Sequence, residues 1–119
     1  MRSPLVGAGA GMSILALNDE RGPAWLAAHN VYLEYAVDLG LPGLALFLVL
    51  LGACLRDARL VQRGRAAVRD GLYHVAEGAE AALVAFAVAA MFYPAAYEFF
   101  FYLVGGIAVS ARTIHEREA

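Results

Sequence analysis

The sequence predicts an all-α fold: a polytopic integral membrane protein fragment with about three transmembrane helices and an extracytoplasmic loop carrying a short interfacial helix. Three observations predict it. Of the 119 residues, 61% are hydrophobic and 17% charged, against roughly 25% charged in an ordinary soluble domain. Mean hydropathy is +0.61, and a soluble chain of this size could not hide so much apolar surface. The apolar residues also fall in long runs: Leu41 to Leu55 carries no charge, and Ala81 to Ala111 carries only Glu98.

Residues 1–40 read as the extracytoplasmic loop. It opens on Gly7-Ala8-Gly9-Ala10-Gly11 and continues through the polar patch Asn18-Asp19-Glu20-Arg21-Gly22-Pro23. Met1-Arg2 leads into Ser3-Pro4 rather than an apolar core, so no signal peptide is read. A membrane chain that opens on a loop is expected to be the C-terminal piece of something longer. The glycine loop is not a dinucleotide fingerprint, since its spacing is wrong and no strand precedes it. It reads as a flexible tight loop or, more sharply, as a nest of backbone amides for a phosphate.

A short helix is expected over Val31 to Leu39. Asn30 suits its N-cap, with the side-chain oxygen accepting a first-turn amide. Glu34 and Asp38 lie four apart, on one face. Gly40 fits the left-handed position that ends a helix, and Pro42 fits the first turn of the next. The elbow at Gly40–Pro42 then leads into a span over 41–55. Trp25, Tyr32 and Tyr35 are expected at headgroup depth, where amphipathic rings collect.

A polar connector follows at 56–76. Ala81 to Ala111 is 31 residues, about 46 Å as one helix and too long for a hydrocarbon core of roughly 30 Å. Pro94 and Glu98 mark a turn, so two short spans are expected, at 77–93 and 97–113, with a tail at 114–119. Glu98 reads as interfacial, and Gly105-Gly106 as a site of close helix packing. Seven of the nine arginines lie in the connector or at the C-terminal end, where Arg112 closes the last span and Arg117 stands in the tail. The positive-inside rule places both in the cytoplasm and residues 1–40 outside.

Composition and spacing also exclude. A net charge of −2 gives no basic stripe for nucleic acid. Cys54 has no partner cysteine, which excludes a disulfide framework and a thiol metal site; it reads as a small buried apolar residue. No clustered His/Asp/Glu pattern suggests a metal centre, and no cofactor is expected. His74 and His115 lie beside charged segments and read as solvated. His29 differs, because it stands immediately ahead of a helix start. Imidazole can take and give a proton near neutral pH, and ahead of the positive helix end its neutral form is suited to accepting one. Spacing alone leaves a structural histidine equally open.

The order of a G-x-G-x-G loop, Ala28-His29-Asn30-Val31-Tyr32-Leu33-Glu34, then Leu39-Gly40-Leu41-Pro42-Gly43-Leu44 and an apolar helix resembles the C-terminal part of the O-antigen ligase/polymerase superfamily. The motif His-Asn-x9-Gly-x-x-Gly carries the resemblance, and the two closing helices with a Tyr-Pro turn suit it. Family members are polytopic, with around a dozen helices, so the resemblance implies that most of the fold is missing here. It implies glycosyl transfer on the periplasmic face of the bacterial inner membrane, from a glycan on undecaprenyl diphosphate. The acceptor would be a sugar hydroxyl of lipid A–core, another glycan or a protein. His29 matches the family's essential histidine, proposed as the base that activates the hydroxyl, and the scheme needs no metal. Asn30, Gly40 and Gly43 match the motif as residues shaping the elbow. The family holds the diphosphate with arginines; Arg21, eight residues before His29, is the candidate, outside the matching motif.

Three functions therefore stand side by side. They are an O-antigen ligase, a repeat-unit polymerase or protein O-oligosaccharyltransferase of the same mechanism, and a non-catalytic membrane segment of a transporter or scaffold.

Overall fold

A computed structural model describes residues 5–12, 14–15, 19, 29–64 and 71–118. The described residues are all-helical apart from turns, with no strand. Four helices follow one another: α1 (Val31–Asp38), α2 (Gly40–Arg63), α3 (Leu72–Ala89) and α4 (Phe99–Glu118). Of these, α3 is long and apolar enough to cross a membrane. The uncharged run of α2 is 15 residues, about 22 Å of helix.

The breaks sit where backbone chemistry puts them. Asn30 is extended and its side chain accepts the Leu33 amide at 3.1 Å, which starts α1. Gly40 has φ +73, a left-handed value that turns the chain between α1 and α2. Gly71, at φ +72, precedes α3 in the same way. Pro94 lies in the turn at 90–98 that separates α3 from α4, and it holds Tyr93 out of helical geometry.

Several boundaries differ from the sequence expectation. The connector expected from residue 56 begins as two further turns of α2, through Arg63. Ala58 and Val61 are fully buried there, so an amphipathic face continues the helix past the charges. Residues 65–70 of that connector lie outside the described residues. The helix expected over 77–93 is α3, starting at Leu72 and ending at Ala89, and the one expected over 97–113 is α4, starting at Phe99. The tail expected at 114–119 is, through Glu118, the last turn of α4, supported by an Arg112–Glu116 pair four residues apart.

The described chain divides into two compact units, Met1–Leu48 with Val88–Tyr97, and Val49–Ala87 with Glu98–Ala119. In the second unit Val61, Ala76 and Ala111 form a buried cluster against Leu72 and Tyr73. Phe86 stacks on Phe101 at 5.3 Å. Arg112 reaches Asp57 at 2.5 Å and Arg59 reaches Glu80 at 2.6 Å. Buried Cys54 faces Gly105, where an added Cβ would stand 3.0 Å from its sulfur. Gly105 therefore permits the close helix approach expected of the glycine pair, whereas Gly106 faces open space. Gly105→Ala is expected to cost about 1–3 kcal/mol by overpacking. Adding Cys54→Ala frees the space, so thermal unfolding of the single and double variants should be non-additive by about 0.5 kcal/mol or more.

His115 corrects a second expectation. Its ring covers Gly64, where any Cβ would collide with it, so it is a packing group. His74 is exposed, as expected of a solvated histidine.

Candidate functional site

The first unit gathers its polar side chains around α1, between the glycine loop at 5–12 and the turn at 90–98. Asn30 ties the start of α1 to that turn. Its side-chain amide donates to the Met91 carbonyl at 3.2 Å, and the Val31 amide donates to the Ala90 carbonyl at 2.8 Å. One residue earlier is His29, exposed to solvent. A side chain in that place is free to meet a substrate while its backbone is held by a cap on one side.

Glu34 lies one turn into α1, and its carboxylate accepts the Ala96 amide at 3.2 Å. Burial pushes its carboxyl above the usual range and Asp38 adds to this; the Ala96 amide and nearby His29 act against it. The histidine and the glutamate are thus within electrostatic reach of each other.

Asp38 is fully buried. Its Oδ2 accepts the Gly11 amide at 2.7 Å and the Tyr97 hydroxyl at 2.7 Å. Its Oδ1 is buried without a hydrogen-bond partner among the described residues. The glycine loop closes over the same end of α1: the Ala8 amide donates to the Val37 carbonyl at 2.7 Å and the Gly9 amide to the Asp38 carbonyl at 2.8 Å. These carbonyls are the ones a helix end leaves without partners. The phosphate-nest reading of Gly7 to Gly11 is thereby corrected. The loop's amides at 8, 9 and 11 cap the protein's own helix and carboxylate.

Tyr35 is likewise corrected from a headgroup-belt residue to a core residue. It is buried, stacks on Phe47 at 4.5 Å, and donates its hydroxyl to the Ala96 carbonyl. Tyr32 meets the edge of the same Phe47 ring at 5.9 Å. Trp25 and Arg21 lie outside the described residues. Gly43 has its reason in packing, since a Cβ there would collide with the Leu39 side chain. Asn30 caps the start of α1, whereas Gly40, at positive φ, turns the chain at its end. Glu98 closes the turn, exposed, just ahead of α4.

Tyr97 stands in that turn, outside the helix. Partial burial, followed by the hydrogen bond to Asp38 and its charge, pushes the phenol up to about 12. A raised pKa means that the folded chain holds the proton longer than the unfolded one. The stability it contributes is complete below pH 10 and drains away as pH rises towards 12. Spectrophotometric titration should show a late step that Tyr97→Phe removes; burial raises Tyr32 as well, so the variant makes the assignment. Asp38→Asn should shift that step part of the way back, because desolvation remains.

Compared with known protein families, characterised proteins and solved structures, the chain matches none. Among the described residues no three metal-ligating side chains converge. The candidate site therefore consists of an exposed imidazole at His29, a half-buried carboxyl at Glu34, and the buried Asp38 carboxylate held by the Gly11 amide and the exposed Tyr97 hydroxyl. Glu34, Asp38 and Tyr97 were not singled out as site residues, although the four-residue spacing of the two acids was a usable signal.

Proposed function

We propose that this chain is the C-terminal part of a membrane glycosyltransferase resembling the O-antigen ligases, with His29 as general base. The observation that carries the reading is His29 itself: exposed and immediately before the Asn30 cap, within the motif His-Asn-x9-Gly-x-x-Gly. In the reaction, the acceptor sugar hydroxyl gives its proton to the neutral imidazole. Its oxygen forms a bond to the anomeric carbon of the donor glycan, and the bond from that carbon to the diphosphate breaks. Undecaprenyl diphosphate leaves with the electron pair, and the imidazolium later returns its proton to water.

A membrane setting draws support from α3 and from the apolar side chains that the helices turn outward. Leu46, Val49, Val88, Phe99 and Leu103 are each more than half exposed, which water disfavours and lipid, or further helices of the same protein, would cover. In this reading 1–40 faces the periplasm of a multi-pass inner-membrane protein. A repeat-unit polymerase or protein O-oligosaccharyltransferase would use the same chemistry on another acceptor. A transporter or scaffold segment would make His29 structural.

Labelling of single cysteines from outside intact cells tests the orientation, in a Cys54→Ala background. Leu5→Cys is expected to react with an impermeant maleimide, and Arg63→Cys and Arg117→Cys to be protected. Reaction at Arg63→Cys would reverse the topology. The reaction is tested by supplying undecaprenyl-diphosphate-linked glycan with lipid A–core, as lipid-linked repeat units alone, or with a protein acceptor. Product in none of the three would overturn the transferase reading.

A further inference from the structure

We propose that the outer face of α2 formed by Gly52, Leu55, Arg56, Arg59, Leu60 and Arg63 is a binding site for an anionic phospholipid headgroup. These residues line a cavity of about 320 Å³, within the ~300–1,000 Å³ range of small-ligand sites. Arginines at positions 56, 59 and 63 are three and four apart and so share one face. Among the described residues no carboxylate lines the cavity. Asp57 pairs with Arg112 at 2.5 Å and reaches Arg56 only at 3.7 Å, and Glu80 accepts from Arg59 Nε and from Gln62 at 2.6 Å each.

The three guanidiniums keep donors to spare. Arg59 spends its Nε on Glu80. Arg56 is largely exposed, with one long contact of 3.7 Å to Asp57. Arg63 has no ion pair among the described residues. A phosphodiester offers the paired oxygens that a planar guanidinium fork fits. Leu55 and Leu60 supply an apolar wall for the glycerol and upper acyl carbons beside those donors. The position along the helix agrees with a lipid: the cavity begins where the uncharged run Leu41–Leu55 ends. That is where arginine stems lie along apolar surface and their heads reach the phosphate layer.

The site rests on the membrane reading of α2 and is independent of glycosyl transfer. Its test is native mass spectrometry of the full-length protein in a neutral detergent. Phosphatidylglycerol, phosphatidylcholine and inorganic phosphate are offered in separate arms. The wild type is compared with a double variant, Arg56→Gln with Arg63→Gln, which keeps the Arg59–Glu80 pair and alters two exposed side chains. Wild type is expected to retain phosphatidylglycerol over phosphatidylcholine by on the order of tenfold, and the variant to lose most of that preference. An equal preference in both proteins overturns the site. Retention of inorganic phosphate as strong as that of the lipid overturns the assignment to a lipid. Flotation with phosphatidylcholine vesicles separates the two readings: failure of both proteins to float overturns the membrane reading and this site together. Flotation without phosphatidylglycerol preference overturns the site alone.

Discussion

Gly7→Ala is expected to be the most damaging single-methyl change in the glycine loop. Gly7 has φ +71, a conformation that costs a residue with a Cβ about 1–3 kcal/mol. The added carbon would also run into backbone atoms, the Asp38 carbonyl and the Gly40 amide nitrogen. Neither can move without disturbing the end of α1 or the start of α2. The steric part adds about 1–3 kcal/mol more. The bonds from Ala8 to Val37 and from Gly9 to Asp38 would loosen with it. Gly11→Ala is the control: its φ of +74 is strained in the same way, but a Cβ there meets nothing within 4 Å. Gly9→Ala falls between, because its neighbour is the flexible Met12 side chain at 3.3 Å. Thermal unfolding should therefore rank the losses Gly7, Gly9, Gly11. A Gly11→Ala protein as unstable as Gly7→Ala would contradict the packing of this loop on α1.

Much of the local geometry around α1 was legible in the sequence. Asn30 as cap, Gly40 as a left-handed break and the interruption at Pro94 each follow from the backbone preference of one residue. The direction in which Asp38 points does not. Acidic side chains ordinarily face solvent. What reverses it is contact with Gly11 and Tyr97, which are 27 and 59 positions away. No local period carries that information. The partner of the glycine loop is hidden for the same reason: the Gly11 amide meets the chain's own Asp38 carboxylate, and those of Ala8 and Gly9 meet the carbonyls at the end of α1. Helix ends were displaced where tertiary burial outvoted charge, as at Ala58 and Val61 beyond Arg56.

The largest functional effect is expected at His29. His29→Ala removes an exposed side chain next to the Asn30 cap, so expression, membrane insertion and unfolding temperature should change little. The chemical step loses its base, and transfer should fall by about a hundredfold or more. Arg21→Ala is expected to be milder than His29→Ala. The deciding measurement is the initial rate of glycan transfer from undecaprenyl diphosphate by full-length wild type and His29→Ala, at equal membrane abundance. It is taken with lipid A–core, with lipid-linked repeat units alone and with a protein acceptor. General-base chemistry at His29 predicts transfer to one of these acceptors by the wild type and its loss in the variant. Near-normal transfer by His29→Ala to every acceptor the wild type uses would make this histidine structural and contradict the account.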